Sequence, residues 1–266
     1  MRPLIALVLL VAISLRPALA AEIKSVEAEE TQFKVTLTDG RVLRSAELVG
    51  AVLTIAAGSG TMRVRIDAVE RDPDARRGGV WLHTLSVQGA DGGWGNLCSA
   101  GPDGRREAFP LAGKARAGDG MFEIAPPGTF ELTCTSGAQG KCVRFGYLPW
   151  DGGAEGLARY NACIRMVRAD YCGDGTPHTK DGTLIDLFDK IGIQTDDPAL
   201  GLEFEAAWAP HGAICVRHVR IPEIYSLDRL RAECLRLKPE DIGDGCTEER
   251  MAKDPAALLM NKSRVK

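Results

Sequence analysis

Eight cysteines constrain this chain more than any other feature, and all of them lie after residue 97: Cys98, Cys134, Cys142, Cys163, Cys172, Cys215, Cys234 and Cys246. An even number of cysteines behind an export signal implies an oxidising compartment and as many as four disulfides. The first twenty residues read as such a signal. Arg2 provides a positive start, Leu4–Leu15 an apolar stretch, and Ala18-Leu19-Ala20 a small-residue cleavage site. The apolar stretch is shorter than the about 20 residues needed to span a bilayer, and no later segment is apolar enough to do so. The expected mature chain is exported, to the periplasm or the medium.

Eight cysteines permit far more connectivities than a sequence can decide among. Two local pairs stand out. Cys134 and Cys142 flank the small-residue turn TSGAQGK, and Cys234 and Cys246 flank a helix end followed by KPEDIGDG. Closing either short loop would stabilise by roughly 2–3 kcal/mol, largely by restricting the unfolded chain. Cys98, Cys163, Cys172 and Cys215 remain unassigned.

Loss of Arg2 and Arg16 with the leader would leave 31 basic against 36 acidic residues, a formal charge of −5. That balance gives no reason to expect nucleic acid or an anionic membrane surface as partner. The remaining length suffices for one large domain or two small ones.

Residues 22–147 read as β-rich. Phe33, Val35 and Leu37 alternate with polar residues up to the turn dipeptide Asp39-Gly40, and Met62, Val64, Ile66 and Ala68 alternate with Arg63, Arg65 and Asp67. Residues 51–57, 80–87, 130–134 and 142–147 read as further strands, separated by Gly- and Pro-rich turns. After Leu148–Gly153 the period becomes helical: Leu157, Tyr160, Ile164 and Val167 share one face, with Asp151 or a neighbour available as cap. A second helix is expected over 227–237, with Ser226 as N-cap and Pro239 beyond its end, and a short third one over 256–260. The last six residues are expected to fray. The fold class is therefore α+β: an N-terminal β-rich region, sandwich or barrel-like, over 21–90, a mixed disulfide-stapled region over 91–250, and a tail over 251–266.

The chemistry-bearing stretch is 165–194, RMVRADYCGDGTPHTKDGTLIDLFDKIGIQ. Its aspartates, Asp170, Asp174, Asp181, Asp186 and Asp189, could form turns, gather a cation, or act as acid and base groups. Turn formation is the ordinary role of Asp beside Gly. A helix-loop-helix calcium site fails on spacing. With Gly182 in the invariant glycine place, Pro177 would stand as first ligand and Phe188 as the closing acid. Cys172 and His178 suggest a thiol nucleophile, but a disulfide is the stronger expectation in this cysteine context. Cys215 and His218, with His178 and His211, lack the second close pair of a structural zinc site. No nucleophile elbow, phosphate-binding loop or dinucleotide fingerprint is present, so no cofactor is expected. Arg165, Arg168 and Arg220 either clamp an anion or pair with nearby aspartates. Trp81, Trp150 and Trp208 are expected as packing anchors, and Trp94, set among glycines, as the most exposed of the four tryptophans.

Three ordered blocks resemble the bacterial secreted proteins named for their ADYC domain. They are FELTCTSGAQGKCVRFGYLPW (130–150), YNACIRMVRADYCGDGTPHTKDGTLIDLFD (160–189) and FEAAWAPHGAICVRHVR (204–220), and the motif itself is Ala169-Asp170-Tyr171-Cys172. The resemblance covers roughly 94–220 and implies a bacterial, exported protein; the family has no established activity to carry over. Two function classes stay open. One is a non-enzymatic binding or envelope-associated module. The other is a secreted hydrolase using Asp170, Asp174, His178 or Asp181, with a carboxylate or the imidazole as general base toward water.

Overall fold

The computed structural model describes residues 21–58 and 60–265, so the expected signal over 1–20 lies outside the described residues. Three strands open the fold: β1 (Ile23–Glu29), β2 (Gln32–Leu37) and β3 (Val42–Arg44) form a small antiparallel sheet. The strands β4 (Val52–Ala57), β5 (Gly60–Arg71), β6 (Trp81–Gln88), β7 (Trp94–Asn96) and β8 (Ala108–Ala112) follow. After the short pair β9 (Lys114–Ala115) and β10 (Phe122–Glu123) comes β11 (Phe130–Cys134). The largest sheet runs β11-β8-β6-β5-β4, with β7 paired to β6, and it crosses residue 90 without interruption.

The expected alternation appears in β2, where Phe33, Val35 and Leu37 are buried and their neighbours are not. These side chains pack on Leu53, Val64, Ile66 and Leu85 of the larger sheet, giving two packed layers in place of a closed barrel. In β5 the alternation holds through Ile66 and then breaks. A register shift between Ile66 and Ala68 leaves Ala68 exposed, whereas the sequence pattern puts it inside. One extra residue in a strand reverses the facing of everything after it.

A buried hydrogen-bond relay fastens the two layers together. The Phe33 amide donates to Ser45 Oγ (2.8 Å), Ser45 Oγ meets His83 Nε2 (2.7 Å), and His83 Nδ1 meets the Ala108 carbonyl (3.2 Å). Nδ1 can only donate to a carbonyl, and with the ring neutral Ser45, which accepts from Phe33, donates to Nε2. It is burial that favours the neutral imidazole. Burial drives the His83 pKa down to about 4, against the smaller upward pull of the Ala108 carbonyl.

The second half is built on α1 (Ala138–Arg144) and α2 (Ala154–Arg168). The strands β12 (Ile185–Phe188), β13 (Glu203–Ala209) and β14 (Gly212–Val216) follow, then α3 (Leu227–Glu233), α4 (Glu248–Lys253) and β15 (Leu259–Ser263). The last sheet runs β12-β15-β13-β14 and is antiparallel throughout. Tyr160, Ala162, Ile164 and Met166 of α2 share one core with Leu82, Phe109 and Leu111 of the large sheet and Ala206, Trp208 and Val216 of the last one. Asn161 of α2 accepts from the Phe122 amide (2.7 Å) and donates to its carbonyl (3.0 Å), fixing β10 against the helix.

Several expectations are corrected here. Residues 142–147 do not form a strand. Ala138–Arg144 winds instead into α1, which needs glycine at 140, where a Cβ would stand 2.2 Å from the Cys134 carbonyl oxygen. Asp151 does not cap α2. It pairs with Arg77 (2.7 Å), and Gly153, at φ 61°, begins the helix with no side-chain cap. Ser226 does cap α3, accepting from the Arg229 amide, but the helix stops at Glu233, short of residue 237. The expected helix over 256–260 and the first half of the end expected to fray, 261–263, are replaced by β15, an interior strand between β12 and β13 with Asn261 fully buried. The short third helix lies earlier, as α4.

All eight cysteines are paired, but not as the local loops suggest. The bridges are Cys98–Cys134, Cys142–Cys163, Cys172–Cys234 and Cys215–Cys246. Cys134 ends β11, and its partner Cys98 follows β7 of the same sheet, whereas Cys142 lies on α1 facing α2. Cys234 is drawn back to the 172 loop, leaving Cys246 to close onto β14.

Candidate functional site

The segment that carries the family motif begins where α2 ends. Ala169 terminates the helix in the left-handed region (φ 50°, ψ 41°), donating to the Met166 carbonyl (3.0 Å). A short side chain at this fully buried position limits both the strain and the crowding. Asp170 is also fully buried. Its carboxylate accepts from the Gly173 amide (2.9 Å), the Gly175 amide (3.0 Å) and the Arg165 guanidinium (2.5 Å). Gly173, at φ 74°, passes so close to the 211 turn that a Cβ would meet the His211 carbonyl oxygen at 1.8 Å. Tyr171 is buried and stacks on Trp208, with ring centroids 5.4 Å apart. Cys172 closes the motif as a staple to Cys234. Each of the four letters thus has a distinct architectural task.

Behind Tyr171 lies a buried ionic network. The Tyr171 hydroxyl donates to Glu205 (2.9 Å) and accepts from the Arg220 amide (2.8 Å). Arg220 grips both Glu205 oxygens (3.0 Å each) and donates to the Met166 (2.8 Å) and Val167 (3.1 Å) carbonyls at the end of α2. Asn261 of β15 donates to Glu205 (2.8 Å) and accepts from the Trp208 indole (2.8 Å). Burial alone would raise the Glu205 pKa; the Arg220 charge and the hydrogen bonds it receives outweigh burial and hold it below its ordinary value. Burial pushes the Tyr171 phenol far up, so it stays a donor. Such a cluster is costly to desolvate and tolerates no missing member.

The remaining candidates divide among several environments. Asp174 is exposed and accepts from the Thr176 amide (2.8 Å). Asp186 accepts from Asp197 N (2.9 Å), and Asp189 from Ile191 N (2.8 Å), Gln194 N (2.9 Å) and the Tyr147 hydroxyl (2.8 Å). His178 is buried and lies flat on Tyr225, at 3.8 Å between centroids. Burial lowers its pKa, against the upward pull of Asp174 and Asp170. Arg165 and Arg220 pair with acids, as the internal-pairing alternative has it; Arg168 donates instead to the Gly175 carbonyl. Trp208 is fully buried, and Trp94 lies half-exposed beneath the Arg65 guanidinium, 4.7 Å from the ring centre. Cys215 is consumed in its disulfide, and among the described residues no group of three or more His, Cys, Asp and Glu is placed to hold a metal.

A cleft of about 1,030 Å³ opens on the other side of the 177–185 segment. Its walls are the 99–102 loop, α1 with Lys141 and, just past its end, Phe145, the end of α2 at Val167 and Arg168, and residues 177 and 179–185. Arg220 is part of its lining, with Nη1 3.5 Å from Thr179 Oγ1. Of the four candidates from the sequence, Asp181 lines this cleft and Asp170, Asp174 and His178 do not. Sequence reasoning missed Glu205, Tyr225, Asn261 and Lys141. Only Glu205 leaves a signal, as a lone acid in the apolar run Phe204–Ala209.

A two-layer β unit joined through one buried helix to a disulfide-closed antiparallel sheet, with the ADYC tetrapeptide at the end of that helix, defines the class. A family model described as the ADYC domain matches residues 45–222. The chain belongs to that family, and the match reaches back from the motif blocks to take in β4 and β5. No curated protein and no solved structure matches the chain. Among the described residues no helix is long and apolar enough to cross a membrane, and that, with the four disulfides, is compatible with an exported protein.

Proposed function

We propose that this is an exported, non-enzymatic binding module whose ligand occupies the cleft between α1 and the 177–185 segment. The cleft itself carries the reading. At about 1,030 Å³ it has room for a small organic ligand, and apolar and polar side chains share its walls. Catalysis in the 170–189 loop has less support. The Asp170 carboxylate is spent on two amides and a guanidinium, and His178 lies against Tyr225 away from the cleft. Export rests on the leader-like sequence and the four bridges. Nothing in the charge balance recommends nucleic acid as partner.

Native mass spectrometry of protein isolated from the producing cell's own envelope fraction tests the proposal. The wild-type chain should carry a bound small molecule, and Thr183→Trp, which fills the cleft from an exposed loop, should not. Loss of the adduct on His178→Ala with retention in Thr183→Trp would refute the assignment to the cleft.

A further inference from the structure

We propose that the ligand of this cleft is a small amphiphilic anion, an inference that rests on the cleft being the binding site. Charge supplies the first observation. The chain has a formal charge of −3, yet the cleft is lined by Lys141, Arg168 and Lys180, with Asp181 the one acid in its lining. Arg220 contributes no net charge, because Glu205 neutralises it.

The second observation is that none of those three cations has a carboxylate within ion-pair distance among the described residues. Other cations are matched, Arg144 with Asp72, Asp74 and Asp103, Arg105 with Glu70, Asp74 and Glu107, and Lys262 with Asp196 and Glu248, although some outside the cleft, Arg71 and Arg236 among them, are not. Arg168 is partly buried, and its guanidinium is anchored on the Gly175 carbonyl. A carbonyl orients a guanidinium without cancelling its charge.

The third observation is the apolar body of the cleft. Phe145, Val167, Leu184 and Ile185 line it, and Leu184 is 52% exposed. A wholly hydrophilic anion such as inorganic phosphate would leave these walls wet. A neutral apolar compound would leave three cations without a counter-charge. A molecule with one carboxylate, sulfonate or phosphate head on a compact apolar body satisfies both.

Two dyes with the same aromatic frame separate the possibilities: 8-anilinonaphthalene-1-sulfonate, an anion, and N-phenyl-1-naphthylamine, its neutral counterpart. Binding of each to the intact oxidised chain is read by fluorescence titration, with circular dichroism confirming the fold of every variant. The anion should bind about tenfold or more tightly than the neutral dye, and added salt should weaken it. Arg168→Gln should weaken it by about tenfold. Because Arg168 also holds the 175 turn, the decisive variant is Lys141→Gln with Lys180→Gln. Neither ammonium holds a bond in the fold, and the pair should again cost the anion about tenfold and leave the neutral dye unchanged. Equal binding of both dyes, blocked by Thr183→Trp but indifferent to the charge variants, overturns the anionic ligand and leaves the binding site standing. Binding of neither dye in a Thr183-dependent way overturns the cleft as a site altogether.

Discussion

Acid should weaken the joint between the two β layers through His83. In the folded chain this imidazole is fully buried and has a pKa of about 4, while in the unfolded chain it takes the ordinary value of about 6.5. A base whose folded pKa is depressed contributes stability that is whole above the unfolded value and is lost as the pH falls through the window down to the folded one. Between about pH 6.5 and 4 the unfolded chain binds a proton that the native chain refuses, which costs about 3 kcal/mol in full and about 2.5 kcal/mol by pH 4.5. Burial lowers the pKa of His178 as well, so it adds a loss of the same sign over the same direction of pH. The comparison is urea unfolding of wild type and His83→Gln at pH 7 and pH 4.5, with disulfides intact and equal slopes required. Wild type should lose about 2.5 kcal/mol more than the variant between the two conditions. Equal losses in the two proteins would refute the claim that burial between the two layers keeps the His83 ring neutral.

The buried network and the bridges give two further tests. Glu205→Gln strands the Arg220 charge at a position 3% exposed and should cost about 3–5 kcal/mol in urea unfolding, and a loss below about 1 kcal/mol would mean that the network contributes little. Peptide mapping of the oxidised chain should yield Cys98–Cys134, Cys142–Cys163, Cys172–Cys234 and Cys215–Cys246, and recovery of a Cys134–Cys142 or Cys234–Cys246 peptide would contradict the fold itself.

What the sequence disclosed was what is settled locally. β2 shows because each alternate residue meets the same layer, and α2 shows because its apolar face repeats over four turns. The N-cap at Ser226 shows because capping is a contact of three residues' reach. The failures were long-range. β15 reads as a polar end, and only its insertion between β12 and β13, with Asn261 bonded to Trp208 and Glu205, makes Asn261 an interior residue. Residues 142–147 read as a strand because Val143, Phe145 and Tyr147 alternate with other residues; the disulfide from Cys142 to Cys163 on the neighbouring helix and the glycine contact at 140 decide otherwise. At the candidate site, the aspartates caught the eye because ionisable residues crowd one segment. The cleft went unseen because its walls come from segments as distant as Ser99 and Arg220.

The order of the bridges along the chain has a consequence for biogenesis. An oxidant that joined cysteines in the order in which they emerge would form Cys98–Cys134 and Cys142–Cys163 correctly. It would then join Cys172 to Cys215 and Cys234 to Cys246, both wrong, because the native pairs Cys172–Cys234 and Cys215–Cys246 interlace. Maturation of this protein therefore divides at the ADYC tetrapeptide. Upstream of it, oxidation in order of emergence suffices. Downstream, the chain must either wait for its last cysteine before it is oxidised or have its thiols reshuffled by exchange.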